Sequence, residues 1–278
     1  MIKTKIALVT GASSGIGKDT AERLAKSGYK VYGTSRKGVQ AGHKLFEMLA
    51  LDVTNDESVE ATVAEVIKRE GRIDLLVNNA GFGVAPGGAE ESSIEQTKMM
   101  FDTNLFGIIR MTRAVVPYMR KQGKGRIINI GSILGLIPAP YMATYAATKH
   151  AVEGFSESLD HELRTRGIRV SVVEPGYTNT QFEANAPEVD VKLDEYTIAR
   201  KALSKLTKMA IAAGDDPKVV AHVVLKAANA KHPKLRYAAG KLACRLSFLR
   251  RFAPAALVDI GIRKELKLDS LHKIANQP

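Results

Sequence analysis

A glycine-rich turn between an apolar strand and a helix-forming segment constrains the fold of this 278-residue chain more than any other feature. Residues 5–10 are apolar enough for a buried strand, and the turn begins directly after them at Gly11. Glycines at this spacing permit a tight turn and let the backbone approach a phosphate closely. The helix predicted to start at Gly15 would present free N–H groups and a positive dipole to that phosphate. The alternative is an ordinary strand-to-helix connection. The predicted phosphate-binding residues are Gly11, Ser13, Ser14, Gly15, Ile16 and Gly17.

Short apolar runs alternate with helical patterns along the first 175 residues. Strands are predicted at residues 5–10, 31–35, 45–51, 73–77, 126–130 and 168–173, and helices at 15–27, 56–69, 94–121, 143–164 and 216–230. The strands are apolar throughout rather than alternating, which indicates a parallel sheet covered by helices on both faces. The sequence therefore predicts an α/β fold, a doubly wound parallel sheet of the Rossmann-like type, with a C-terminal helical extension.

No internal repeat, linker or low-complexity tract divides the chain, so we expect residues 1–278 to form one domain. Residues 177–214 are polar and poorly periodic, which predicts a mobile loop over the substrate site. Residues 231–278 form a basic C-terminal extension, in which residues 241–252 mix basic and apolar side chains as an amphipathic helix does.

The net charge of +12 at first suggests a polyanionic partner. Eleven basic and three acidic residues lie after residue 230, so most of the excess belongs to the extension. Because no aromatic stacking platform accompanies the charge, nucleic acid is not predicted as a partner. Two interpretations of the extension stay open: a helix that caps the substrate pocket, or peripheral contact with an anionic membrane.

Cysteine and histidine usage excludes two classes of site. A single cysteine, Cys244, rules out an internal disulfide, and the six histidines lack metal-ligand spacing, so no metal is predicted. No apolar run approaches the roughly 18 residues of a membrane span, and the first residues lack a signal-peptide core. These features predict a soluble, cytoplasmic protein.

The end of the second strand indicates which dinucleotide would bind. Sites that bind NAD usually place an acidic residue there for the ribose 2′-hydroxyl. This chain instead has Arg36 and Lys37, with no carboxylate within reach. Arg36 could clamp a 2′-phosphate, with a hydroxyl donated by Ser13. The sequence therefore predicts NADP(H), with solvated loop charges as the alternative.

Further polar residues follow the later strands. Residues 78–81 follow the fourth strand, and Ser132 follows the fifth. Tyr145 and Lys149 are four residues apart on the next helix and therefore share one face. Because the carboxyl ends of parallel strands meet at one edge of the sheet, we expect these side chains to lie close together.

The order and spacing of these motifs resemble those of the short-chain dehydrogenase/reductase family over about residues 5–180. The matching pieces are Thr10-Gly11-x-x-x-Gly15-x-Gly17, Asp52-Val53, Asn78-Asn79-Ala80-Gly81, Asn104, Ser132, Tyr145-x-x-x-Lys149 and Pro175-Gly176-x-x-x-Thr180. Residues 153–160 and 233–240 are, more weakly, similar to the 17β-hydroxysteroid dehydrogenase and retinol dehydrogenase branch of that family.

The resemblance implies an oxidoreductase with a tyrosine acid–base. Tyr145 would exchange the proton, and the ammonium of Lys149 would lower its pKa from about 10 toward neutrality. Lys149 would also bind the nicotinamide ribose, Ser132 would bind the substrate oxygen, and Asn104 would order a water in the proton relay. The remaining implied cofactor contacts are Asp52 and Val53 at the adenine, Asn78 at the ribose, Ala80, Gly81, Pro175 and Gly176, and Thr178 and Thr180 at the carboxamide.

Apolar residues around the implied catalytic set predict a lipophilic ketone or aldehyde and its alcohol as substrates. The predicted pocket residues are Phe82, Leu134, Tyr141, Met142, Tyr177 and Phe182. Plain loop packing is the alternative for these side chains. Two other functions stay open: a 3-oxoacyl-carrier-protein reductase, and a non-catalytic protein that senses NADP(H). The family also implies a homodimer or homotetramer, built through the helices predicted to begin at Ile94 and Ala143.

Overall fold

The computed structural model describes residues 4–38, 45–266 and 268, which form one sheet of seven parallel strands. The strands are β1 (Ile6–Val9), β2 (Lys30–Ser35), β3 (Glu47–Ala50), β4 (Leu75–Asn78), β5 (Gly125–Ile130), β6 (Ile168–Pro175) and β7 (Arg236–Ala239). Their order is β3-β2-β1-β4-β5-β6-β7, with every neighbouring pair parallel. The predicted doubly wound, Rossmann-like sheet is confirmed, and its order reverses between β1 and β4.

Helices cover both faces of the sheet. They are α1 (Gly15–Lys26), α2 (Asp56–Glu70), α3 (Ile94–Phe101), α4 (Gly107–Gln122), α5 (Ala143–Arg164), α6 (Thr197–Ala212), α7 (Pro217–Asn229), α8 (Lys241–Phe252) and α9 (Ala255–Glu265). One core packs α1 and α7 on the sheet, with Leu24 and Val224 fully buried. The other core packs α2 and α4 on the opposite face, with Val66 and Val115 fully buried. This two-sided burial explains why the strands are apolar throughout.

The helix predicted over residues 94–121 is interrupted. A π turn at Asp102–Phe106 separates α3 from α4. A π turn adds one residue to the helical turn, and such turns are frequent at functional sites. Asn104 lies in it and is only 1% exposed. The helical pattern of the sequence did not reveal this interruption, because the extra residue shifts the buried face by only one position.

The segment at 177–214 was predicted as an irregular loop, and this prediction is wrong for its second half. A 3₁₀ turn at Asp194–Tyr196 leads into α6. The buried positions of α6 are Ala199, Leu203 and Thr207. Their spacing of four residues makes a stripe only one side chain wide, too narrow to stand out among polar neighbours.

The basic extension contains more than helices. Its strand β7 pairs with β6 and completes the sheet. The strand has only four residues, Arg-Tyr-Ala-Ala, and such a short run does not stand out in the sequence. Helix α8 then buries Ala243 in a cluster with Ile133 and Ile137, just past the end of β5. No helix in the described part of the chain is long and apolar enough to cross a bilayer. Residues 269–278 of the predicted extension lie outside the described residues.

Candidate dinucleotide and catalytic site

The glycine turn is shaped by hydrogen bonds between the ends of β1 and β4. The side-chain amide of Asn79 donates to the carbonyl oxygens of Thr10 and Gly11, at 3.0 Å each. The Thr10 hydroxyl accepts from the backbone N–H groups of Asn79 and Ala80, at 2.9 and 3.0 Å. Gly11 itself has φ +65°, a conformation that side chains rarely adopt. The turn is therefore built jointly by two strands at the point where the strand order reverses.

Close approach of α1 to this turn explains the third glycine. A Cβ on Gly17 would lie 2.1 Å from the carbonyl oxygen of Gly11 and 2.4 Å from Nδ2 of Asn79. Ser14, at the N-cap of α1, makes no side-chain hydrogen bond to the first turn of the helix. The first N–H groups of α1 are thus left for another acceptor. Ser13 and Ile16 are half-buried beside them, and the whole arrangement fits a pyrophosphate.

The adenine end of the predicted site lies where β2 and β3 finish. Arg36 is exposed at the end of β2. The Asp52 carboxylate accepts hydrogen bonds from the hydroxyl and backbone N–H of Thr54, at 2.7 and 2.9 Å. These hydrogen bonds, together with the charge of Arg36, lower the pKa of Asp52. Val53 is 7% exposed and packs against Gly107, where a Cβ would lie 2.8 Å from it.

The structure does not support the expected ribose contact of the Asn78 side chain. This side chain is 3% exposed and donates to Asn129 on β5 at 2.9 Å. Asn129 donates in turn to Ser156 on α5 at 2.8 Å. The three residues form a buried polar ladder that ties β4, β5 and α5 together. A strand-end position alone did not show that the residue points into the sheet.

Ser132, Tyr145 and Lys149 are brought together as predicted from their spacing. Ser132 lies within reach of the Tyr145 hydroxyl. The Lys149 ammonium lies 5.7 Å from the centre of the Tyr145 ring and donates to the backbone carbonyl of Ile130 at 3.0 Å. One hydroxyl, one phenol and one buried amine therefore converge at the carboxyl ends of β5 and the N-terminal part of α5.

The expected lowering of the Tyr145 pKa is not what the chain by itself produces. Burial raises the pKa of Tyr145 to about 12, against the opposing effect of Ser132. Burial lowers the pKa of Lys149 to about 8, against the opposing charge of Glu153. Loss of solvation disfavours the charged form of each group and is the largest effect on both pKa values. Tyr145 is consequently protonated at neutral pH.

Asn104 holds the loop after β4 in place. Its amide oxygen accepts from the backbone N–H of Phe82 at 2.9 Å, and its nitrogen donates to the Phe82 carbonyl at 2.8 Å and to the Thr148 hydroxyl at 3.2 Å. Gly81 lies against it, since a Cβ there would be 2.9 Å from the amide oxygen. The π turn aims Asn104 at this loop. A role in ordering a water stays a prediction.

The segment after β6 closes over the glycine turn. Pro175 ends β6, and the Thr178 hydroxyl donates to the Gly176 carbonyl at 3.2 Å. The methyl of Thr180 lies 3.2 Å from the place that a Cβ on Gly15 would occupy. The residues predicted for the phosphate and carboxamide ends are therefore neighbours in space.

A small, partly open cavity of about 20 Å³ lies beside Tyr145. Its lining residues are uncharged: Val84, Ala85, Gly87, Gly88, Ala89, Ser92, Met100, Tyr141, Met142, Ala143, Thr144, Tyr145 and Val189. Tyr141, which has φ +64°, turns the chain at its rim. Two of the six predicted pocket residues, Tyr141 and Met142, thus line it.

The other four predicted pocket residues lie elsewhere. Phe82 packs near Tyr145 in a small apolar cluster. Phe182 meets the Tyr145 ring edge-on, with ring centres 6.1 Å apart. Leu134 packs toward α8, and Tyr177 is 38% exposed. These four residues lie on three sides of the site, and their common apolar character did not predict those positions.

The sequence also did not predict the contacts of Glu91, which hold the segment of the cavity lining that contains Val189. Glu91 is fully buried and accepts hydrogen bonds from the backbone N–H groups of Gly88 and Leu193, at 2.7 and 2.9 Å. It also pairs with Arg200 of α6. This pairing attaches the segment bearing Val189 to the loop after β4. Residues 91 and 200 are 109 apart, and neither stands in a recognisable pattern.

The family model described as short chain dehydrogenase matches residues 5–190. The chain belongs to the short-chain dehydrogenase family. A 3-ketodihydrosphingosine reductase from Bacteroides thetaiotaomicron is 40% identical to it over 243 residues, which cover 87% of this chain and 90% of the relative. A 3-oxoacyl-[acyl-carrier-protein] reductase from Vibrio cholerae is 42% identical over 187 residues, covering 65% and 76%.

Solved structures extend this similarity to the whole fold. A short-chain dehydrogenase from Streptomyces avermitilis matches with a TM-score of 0.80 and 32% identity over 100% of both chains. A Burkholderia cenocepacia relative was solved with NADP, at a TM-score of 0.73, 26% identity and 92% and 97% coverage. A Brucella melitensis 3-ketoacyl-(acyl-carrier-protein) reductase was solved with NADH. It matches with a TM-score of 0.73 and 26% identity, over 86% of this chain and 97% of the reductase. This short-chain dehydrogenase thus belongs to a family of oxidoreductases; the narrower hydroxysteroid and retinol branch stays a prediction.

Substituting Gly17 with alanine tests the phosphate turn. We expect Gly17→Ala to weaken binding of NADPH and NADH at least about tenfold and to destabilise the fold by about 1–3 kcal/mol, because its Cβ would overlap the Gly11 carbonyl. Gly154→Ala is the matched control, since its Cβ meets nothing within 4 Å and alanine favours a helix. Fluorescence titration and thermal unfolding measure both effects. Equal binding by the two variants would contradict the assignment of the turn.

Proposed function

We propose that this enzyme uses NADP(H) to reduce a lipophilic ketone or aldehyde to its alcohol. The observation that carries the proposal is the convergence of Ser132, Tyr145 and Lys149 at the mouth of an uncharged cavity. The phosphate turn at Gly11 and Gly17 supplies the neighbouring cofactor site. When bound there, NADPH supplies the hydride.

The side chains supply the proton and the charge. Tyr145, protonated at neutral pH, donates its proton to the carbonyl oxygen, since a phenol is a stronger acid than the alcohol that forms. Ser132 donates a hydrogen bond to the same oxygen and stabilises its developing negative charge. The Lys149 ammonium stabilises the tyrosinate that remains. The raised pKa of Tyr145 means that the residue holds the proton that carbonyl reduction requires.

The substrate is proposed to be a 3-keto group on a long aliphatic chain. No charged side chain lines the cavity, so an anionic substrate group would have no ionic partner there. The names of two relatives, a 3-ketodihydrosphingosine reductase and a 3-oxoacyl-[acyl-carrier-protein] reductase, both describe a carbonyl at the third carbon of such a chain. A carrier-protein substrate is the second candidate, and turnover of acyl-carrier thioesters alone would favour it. A non-catalytic NADP(H) sensor would bind the cofactor and reduce nothing.

Replacement of Tyr145 tests the reaction. We expect Tyr145→Phe to lower carbonyl reduction at least about 1000-fold while leaving NADPH affinity within about twofold, because only the donated proton is removed. NADPH oxidation is followed with long-chain 3-keto lipids, steroids, retinals, aliphatic aldehydes and 3-oxoacyl thioesters. Tyr118→Phe, an exposed tyrosine of α4, is the control. Most of the activity surviving in Tyr145→Phe would rule out this mechanism.

Selection of NADPH is proposed to depend on Arg36. We expect Arg36→Ala to raise the KM for NADPH by roughly 10- to 100-fold and to leave the KM for NADH nearly unchanged, since one charge-assisted contact to the 2′-phosphate is lost. Lys37→Ala removes the adjacent exposed charge and controls for a general loss of positive potential. Steady-state kinetics with both cofactors measures the effect. Parallel losses with NADH and NADPH would contradict a contact specific to the phosphate.

The exposed face of α8 and α9 is proposed to contact anionic membrane. Phe248 and Phe252 are 62% and 65% exposed, and their ring centres are 4.8 Å apart. Arg251 lies over the Phe252 ring, at 5.6 Å. Leu257 of α9 is also exposed. Exposed aromatic rings among basic side chains suit the interface of an anionic bilayer, where the substrate would be dissolved. The buried side of α8 meanwhile packs past Ser132, so capping and membrane contact are compatible.

Vesicle co-sedimentation tests this surface. We expect binding to vesicles of phosphatidylcholine with phosphatidylserine at low salt, and little binding to phosphatidylcholine alone. The double variant Phe248→Ser with Phe252→Ser should lose most of it, whereas Val219→Ser on α7, also exposed, should not. The absence of binding to anionic vesicles at low salt would remove the proposal without affecting the catalytic one.

A further inference from the structure

Two buried carboxyl groups lie behind Lys149, and the chemistry above uses neither. Glu153 follows Lys149 by one helical turn of α5 and is 3% exposed. Glu174 lies on β6 and is 1% exposed. The two side chains are within hydrogen-bonding reach of each other. Acidic side chains are almost never buried to this degree unless they are paired.

In the described part of the chain, Arg236 donates to Oε2 of Glu153 but leaves the other three oxygens of the two groups without a hydrogen bond. Oε1 of Glu153 and both carboxyl oxygens of Glu174 accept no hydrogen bond there. Two ionised carboxylates facing each other in the interior would repel, and each unsatisfied oxygen would cost free energy. A single proton held between them supplies one O–H donor and removes one negative charge. The arrangement therefore fits one carboxylic acid hydrogen-bonded to one carboxylate.

The charged groups around the pair come from three elements. Arg236 of β7 places Nε 2.9 Å from Glu153 Oε2 and 3.6 Å from Glu174 Oε1. Its Nη2 lies 3.2 Å from Glu157 of α5, which is half-exposed. Lys149 faces the pair from the other side. Because Arg236 is shared among three carboxyl groups, the remaining negative charge of Glu153 acts on Lys149.

Glu153 also lies directly beneath the residues that carry Ser132. A Cβ on Gly131 would be 2.8 Å from Glu153 Oε1, and one on Gly135 would be 3.0 Å from its Cγ. Because neither glycine has a side chain, the carboxyl group of Glu153 fits under the turn after β5. Tyr145, Lys149 and Glu153 are spaced four residues apart, so they form one stripe from the cavity into the interior.

We propose that Glu153 and Glu174 share one proton as a carboxylic acid–carboxylate pair, held by Arg236, and that this pair keeps Lys149 in its ammonium form. All three are positioning residues, because they act through Lys149. Burial raises the pKa of Glu174 to about 8 and also raises that of Glu153. Burial lowers the pKa of Lys149 to about 8, and the charge of Glu153 limits that lowering. The effect on catalysis rests on the proposed function of Lys149; the shared proton does not.

The pH dependence of carbonyl reduction tests the effect on Lys149. Activity should fall as the pH rises through about 8, where Lys149 loses its proton, since Tyr145 titrates far higher. Glu153→Gln removes the stabilising charge, so this fall should move to lower pH by about 1 unit. Glu174→Gln should leave it near the wild-type position, because the amide donates to Glu153 as the acid does. Glu162→Gln, at an exposed position of the same helix, is the matched control. An unmoved profile in Glu153→Gln would overturn the coupling.

The shared proton is tested without turnover, so its failure is distinguishable from failure of the proposed function. The folded protein binds the Glu174 proton more tightly than the unfolded chain does, because its pKa is raised from 4.5 to about 8. Wild type should therefore lose stability from this group as the pH rises from about 4.5 to about 8, and Glu174→Gln should not. Thermal midpoints of the two should diverge over this range.

Infrared spectroscopy gives a second readout that does not depend on activity. At pH 7 we expect the C=O stretch of a carboxylic acid in wild type and in Glu162→Gln, and its loss in Glu174→Gln. It should also be lost in Glu153→Gln, where Glu174 has Arg236 nearby and no carboxylate beside it. Parallel melting curves, or no carboxylic acid band in wild type, would overturn the shared proton.

Discussion

Hydrogen bonds between the ends of β1 and β4 are the constraint on which the rest of the site depends. Two side chains make four of them: the Thr10 hydroxyl accepts from the N–H groups of Asn79 and Ala80, and the Asn79 amide donates to the carbonyl oxygens of Thr10 and Gly11. They hold the two strand ends together where the order of the sheet reverses. Gly17 lets α1 approach the same atoms. A helix N-terminus without a side-chain cap thereby faces the crevice at which α/β proteins bind nucleotides.

Helix α5 transmits this arrangement to the reacting groups. Tyr145 borders the cavity, Lys149 lies one turn deeper, and Glu153 lies deeper still against β6 and β7. The same helix is tied to the sheet by Ser156, through Asn129. Burial then controls the chemistry: it keeps Tyr145 protonated and weakens the hold of Lys149 on its proton. The negative charge of Glu153, which pairs with Arg236 of β7, opposes the lowering of the Lys149 pKa.

Much of this could be predicted from local pattern. Strands β1 to β6 appear as apolar runs, and α5 begins and ends at the predicted residues 143 and 164. The α2 N-cap Asn55 accepts from Ser58, as such a residue does. The features that the sequence did not predict have weak local patterns or join residues far apart in the chain. The buried stripe of α6 is one residue wide, the π turn at Asn104 shifts the helical pattern by only one residue, and Glu91 pairs with Arg200, 109 positions away.

The sequence by itself determined the parallel sheet, the glycine turn and the spacing of Tyr145 and Lys149, because strand burial, turn geometry and helical period are properties of neighbouring residues. Only the tertiary structure decided that Asn78 points into the sheet, that four predicted pocket residues lie outside the cavity and that Tyr145 is protonated. It also placed Glu174 and Arg236 behind Lys149. Desolvation and contacts between distant elements depend on how the whole chain packs, and no local pattern records them.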